Sequence, residues 1–151
     1  QSVLVMRAAG GLPEPAEKLE LSEKTEMDAD APRVAGKQPQ RLWLYTNGEL
    51  CRELVTIRGV MADAVAGLAD FRRALAKIQF PTMPAESALC EQSEFVYASD
   101  RSLGFGLPLR DSYLGKTQVL LDFDQQYEAA PELFLVPASY REISIPGLSS
   151  E

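Results

Sequence analysis

The chain has 151 residues, 46% hydrophobic and 25% charged, which is enough apolar material for one buried core. Fifteen Lys and Arg against 22 Asp and Glu leave a net charge of −7, and the only adjacent basic pair is Arg72-Arg73, which a solvated helix face explains. That balance disfavours nucleic acid and anionic membrane surfaces and favours a basic protein surface as partner. No run approaches the roughly 18 apolar residues that cross a bilayer.

Ser2-Val-Leu-Val-Met6 predicts a short strand, ended by Gly10-Gly11, Pro13 and Pro15. From Glu14 to Gln40 the composition turns polar. Leu19 and Leu21 alternate with polar neighbours and predict one half-buried strand. Residues 28–40, with Pro32, Gly36 and Pro39, read as a polar loop or linker within a single domain of 1–151. Arg41–Tyr45 and Leu50–Ile57 predict two strands joined at Asn47-Gly48, because Asn-Gly supplies the two positive φ angles of a type I′ turn.

Val60–Ile78 predicts the principal helix. Met61, Ala64, Val65, Leu68, Phe71, Leu75 and Ile78 recur at spacings of three and four, an apolar stripe expected to anchor the core. Pro81 and Pro84 stop it. Short apolar runs follow at Phe95–Tyr97, Leu103–Leu109, Gln118–Phe123, Phe134–Val136 and Ile143–Ile145, with a short helix at 124–130. Leu103, Phe105, Leu107 and Leu109 have the period of a strand, and Gly104 and Gly106 between them mark a bend or a close backbone approach. The expected fold is α+β, an antiparallel sheet packed against one long amphipathic helix.

The chain contains no histidine. Serine and cysteine triads, imidazole metal sites and the usual neutral-pH base are therefore excluded. Carboxylates remain. Asp122 and Asp124, two apart, would share a strand face, and Glu91 and Glu94 would join them as acid/base groups or hard-metal ligands. Solvated residues at a strand end account for them more simply. Gly104-Phe-Gly106 lacks the third glycine of a phosphate loop. We assign no catalytic residue, metal or cofactor. Of Trp43, Tyr45, Tyr97, Tyr113 and Tyr127, most are expected in the sheet or core and two on a partner surface that the sequence does not single out. Cys51 and Cys90 allow one disulfide in an oxidising compartment or two reduced thiols in a reducing one. The start at Gln1 fits a removed leader, a trimmed chain or a fragment equally.

The order of features from Arg41 to Leu109 resembles a region of periplasmic immunity proteins that neutralise phospholipase effectors of type VI secretion systems. The hairpin carrying Gly48 is followed by the Val60–Ile78 helix. Next comes a proline-spaced connector, Pro81-Thr-Met-Pro84-Ala-Glu-Ser-Ala-Leu89-Cys90, where that family tends to show a proline, an acidic residue and a cysteine. The Phe95-Val96 strand and the alternating Leu103–Leu109 strand complete the order. A glycine expected just before the cysteine is absent. The resemblance implies an exported, non-catalytic inhibitor that plugs or clamps a toxin's catalytic entrance. A structural or assembly component of a bacterial envelope or secretion machine is the second reading, with Glu14–Gln40 as its tether or contact arm. A carboxylate-based hydrolase ranks third.

Overall fold

The computed structural model describes residues 2–4, 11–84 and 86–143. Five strands form one antiparallel sheet in the order β2 (Leu21–Met27), β3 (Gln40–Thr46), β4 (Glu49–Ile57), β5 (Leu107–Tyr113) and β6 (Lys116–Val119). Two short strands, β1 (Ser2–Leu4) and β7 (Arg141–Ile143), pair in parallel as a separate ribbon. The remainder of the first and last predicted strands, 5–6 and 144–145, lies outside the described residues. Between β4 and β5 the chain builds the helical layer: α1 (Ala62–Gln79), a 3₁₀ turn at Phe80–Thr82, α2 (Leu89–Gln92), a π-helical turn at Ser93–Tyr97 and a 3₁₀ helix at Arg101–Phe105. The molecule is an α+β fold with an antiparallel sheet and one long helix, as its sequence predicts.

The β3–β4 hairpin forms as its turn chemistry requires. Asn47 and Gly48 take φ of 49° and 82°, and the Asn47 side chain accepts a hydrogen bond from the Glu20 backbone N–H at 2.6 Å. Leu42, Leu44 and Leu54 then fall on one face of the sheet and make the apolar core, with Phe105 against them. The 28–40 segment is no linker between units. It is the connection between β2 and β3, closed by Asp28 N–H donating to Pro39 C=O at 3.1 Å and by a small turn in which Val34 and Lys37 bond each other. The strand predicted near Leu19 and Leu21 exists as β2, but it is a sheet edge with every residue exposed. Its charges, Glu23, Lys24 and Glu26, suit an edge that must not pair with another chain.

The main departure concerns which face of α1 is inward. The apolar stripe does not anchor the core: Leu68 is 41% and Phe71 60% exposed. Ala76 is fully buried, and Val65, Ala69 and Arg72 share its side, at spacings of four, three and four. This inward face is displaced from the stripe by one residue, about 100° around the helix. The reason is steric and electrostatic together. Alanines let α1 approach the short helical turns beneath it, and Arg72 must reach buried polar groups. Leu68 and Phe71 are left on the outer flank, while Leu75 and Ile78 are half-buried. Arg72 and Arg73 consequently part company, so the pair is not a common solvated face: Arg73 turns outward to Asp70 and Asp100.

Other runs also change type. Leu103 lies on the 3₁₀ helix and is buried, so the Leu103–Leu109 alternation spans a helix–strand boundary. Phe95–Tyr97 is part of the π-helical turn, not a strand. Residues 124–130 hold only a turn, and Phe134 ends a 3₁₀ turn at Pro131–Phe134. The boundary at Gly106 has a clear cause. Its φ of 114° and ψ of −163° belong to a region reserved for glycine, and a Cβ there would overlap the carbonyl of Ile57. Gly106→Ala should therefore lower stability by about 1–3 kcal/mol through backbone strain, read by urea unfolding. An unchanged midpoint would mean that β4 and the turn before β5 do not meet as described.

Candidate functional site: a recess over a buried charge cluster

Two sheet residues with the parity of the core are charged. Arg52 and Asp111 share the inward face with Leu44, Leu54 and Tyr113, and each is nearly closed off, at 3% and 4% exposure. Glu94, 4% exposed, joins them from the π-helical turn. Arg52 Nε donates to Asp111 Oδ1 at 2.8 Å, and its Nη1 donates to Glu94 Oε2. Its guanidinium lies 4.3 Å from the centre of the Tyr113 ring. From α1, Arg72 Nη1 donates to Ser102 Oγ at 2.8 Å and approaches Asp111 Oδ2 at 4.0 Å. Two arginines and two carboxylates thus meet in the interior, where an uncompensated charge would cost several kcal/mol.

The cluster is unevenly satisfied. Glu94 Oε1 is buried and has no hydrogen-bond partner among the described residues. Burial raises the Glu94 carboxyl above the ordinary glutamate range, against the opposing pull of Arg52. Burial and the neighbouring Arg52 likewise lower the Arg72 guanidinium, which stays cationic. A raised carboxyl means that the folded state holds the Glu94 proton more tightly than the unfolded chain. Its contribution to stability is present below the unfolded value and is lost as pH rises through the folded one. The stability of the parent relative to Glu94→Gln should therefore fall across that window. A parallel pair of pH curves would contradict the placement of Glu94.

Leu68, Phe71 and Leu75 of α1, with Phe95 and Tyr113, line a recess of about 180 Å³, and Arg52, Arg72 and Glu94 contribute to the same lining. The frame around it is stapled. Cys51 of β4 and Cys90 of α2 form a disulfide with Cα atoms 5.1 Å apart, inside the roughly 7 Å that a bridge requires. Thr46 Oγ1 donates to Ser93 Oγ at 2.9 Å in the same layer.

The four carboxylates considered from sequence do not form one site. Glu94 is interior, Glu91 is half-buried on α2, and Asp122 and Asp124 are exposed on the strand-free segment after β6. The last two accept hydrogen bonds from nearby backbone, Phe123 N–H and Gln126 N–H, each at 2.8 Å. Among the described residues, no group of three or more Cys, Asp or Glu side chains is arranged to hold a metal ion, and no helix is long and apolar enough to cross a membrane. Of the aromatic candidates, Tyr113 lines the recess and Trp43 lies half-buried on the opposite sheet face, its Nε1 donating to Glu53 at 2.8 Å. Tyr127 is exposed.

Arg52, Arg72 and Asp111 are not among the candidate site residues that the sequence offers, where Arg72 reads only as half of a solvated basic pair. One signal for them existed: Arg52 alternates with Leu54 and Thr56, so a charge stands where strand parity demands a core residue. No family model matches this chain, and no curated protein or solved structure matches it either.

Proposed function

We propose that the chain is a non-catalytic binding protein of an exported compartment, an immunity or inhibitor protein that neutralises a secreted toxin by covering its active site. The observation that carries this reading is the outward stripe of α1. Leu68 and Phe71 stand exposed beside the recess on a disulfide-tied frame, and large aromatic and aliphatic anchors on a rigid element are what a protein interface uses. The net charge of −7 favours a toxin whose entrance is basic, since complementary charge speeds encounter. The disulfide favours the periplasm over a reducing compartment, and the sequence resemblance favours a phospholipase effector as the target.

The test is inhibition. Purified protein is titrated into a purified type VI phospholipase effector with residual lipid hydrolysis as the readout. Hydrolysis should fall to a plateau at a fixed molar ratio. Phe71→Ala should weaken inhibition while changing stability by only about 0.5 kcal/mol, because the side chain is outside the core. Asp122→Asn with Asp124→Asn should slow association in a salt-dependent way without abolishing protection. Lipid hydrolysis by the protein itself, lost on changing one carboxylate, would replace the proposal with an enzyme.

The assembly reading keeps one observation of its own. Val119, Leu121, Leu133, Leu135 and Val136 are exposed along the segment after β5, and a contact arm would look like this. Truncation after residue 118 distinguishes the two: toxin inhibition survives if α1 is the binding face.

A further inference from the structure

We infer that the recess between α1 and the π-helical turn is a socket for one side chain of the partner, and that this side chain ends in a primary carboxamide, that of glutamine or asparagine. The inference rests on the proposed reading of the chain as a protein-binding inhibitor and names the anchor it would receive. Size comes first. About 180 Å³ is below the 300–1,000 Å³ of small-molecule pockets and suits a single side chain. The walls of Leu68, Phe71, Leu75 and Phe95 suit a methylene stem.

The head group follows from what the lining lacks. Glu94 Oε2 is taken by Arg52, while Oε1 is buried without a donor. A buried acceptor left unpaired is destabilising, so a ligand that supplies an N–H gains what the free protein forfeits. Arg72, in the same lining, spends Nη1 on Ser102 and only approaches Asp111, at 4.0 Å, with Nη2. Two residues of the lining therefore carry an unpartnered acceptor, closed to solvent in the free protein, and a donor. Arg52 and Arg72 balance Glu94 and Asp111, two against two, so the cluster carries no net charge. An ammonium would add a third cation beside two arginines. A carboxylate would set a third anion against the unpartnered oxygen. A guanidinium fork needs both oxygens of a carboxylate, and one is occupied. A carboxamide donates through N–H, accepts through C=O and brings no charge.

The experiment uses the intact protein and four small probes of matched length: butyramide, butyrate, n-butylammonium and n-butanol. Backbone amide NMR shifts are followed during each titration. Butyramide should shift α1 and Ser93–Tyr97 resonances saturably, and the other three should not do so at equal concentration. Glu94→Gln turns a donor toward the socket and leaves the cluster with one excess positive charge, so the preference should pass from butyramide to butyrate. Should Glu94→Gln fail to fold, Leu68→Ala serves instead: it opens an exposed wall and should weaken butyramide binding several-fold. Equal shifts from all four probes, or none from butyramide, overturn the inference. Toxin inhibition measured alongside separates the two ideas. Inhibition without butyramide binding removes the socket alone, and butyramide binding without inhibition removes the proposed function while leaving the socket.

Discussion

Arg52→Ala should destabilise the protein by about 3–5 kcal/mol, because it strands two buried carboxylates. Arg52 is the common partner of Asp111 and Glu94, both 4% exposed, and it also lies against Tyr113. Removing it leaves Glu94 without its ion-pair partner and Asp111 with only Arg72, at 4.0 Å. A replacement of the whole group, Arg52→Met with Glu94→Leu and Asp111→Leu, should recover most of the loss, since a buried ion cluster exchanged for apolar side chains of similar volume is often neutral. Urea unfolding of the single and triple variants checks this. A single variant as stable as the parent would mean that the three charges are not enclosed together.

Loss of the Cys51–Cys90 bridge should cost about 4 kcal/mol. The disulfide spans a sequence separation of 39, and the chain-entropy account gives that magnitude for a loop of this length. Against a typical total of about 5–15 kcal/mol, the loss would leave a marginal fold. The expected effect is local as well as global, since the bridge and the Thr46–Ser93 hydrogen bond fasten α2 and the π-helical turn to the sheet. Unfolding of the oxidised parent, the reduced parent and Cys51→Ala with Cys90→Ala should show the last two equally weakened. Protein recovered from the periplasm should resist alkylation until reduced. Two reactive thiols in that protein would contradict the Cys51–Cys90 bridge.

The parts of the fold legible in the sequence were those governed by local chemistry. Asn47-Gly48 dictates its turn through backbone sterics alone, and the span of α1 is written in its spacing and in Pro81. The antiparallel sheet followed from short strands with turn signals between them. The orientation of α1 was not legible, because periodicity finds the apolar face but not the face the protein buries. Here Ala69, Arg72 and Ala76 turn inward, Arg72 reaching Ser102 and the buried carboxylates, and Leu68 and Phe71 are left exposed at the wall of the recess. Residues 124–130 failed to become a helix for a related reason: they are all exposed, and so short a helix has little stability without packing. Of the recess, the sequence offers Glu94 as a catalytic candidate, Tyr113 as an interface aromatic and Leu68, Phe71 and Leu75 as core residues, with nothing to bring them together. The partners of Glu94 come from β4, β5 and α1, and only the tertiary fold brings them together.

The proposed function has the outward face of α1 meet a toxin. Calorimetric titration of the effector with the parent and with Phe71→Ala tests it most directly. An aromatic anchor at an interface centre is worth about 2 kcal/mol or more, so Phe71→Ala should bind at least about thirtyfold more weakly with stability changed by only about 0.5 kcal/mol. Equal affinity of the two proteins for the effector would contradict the claim.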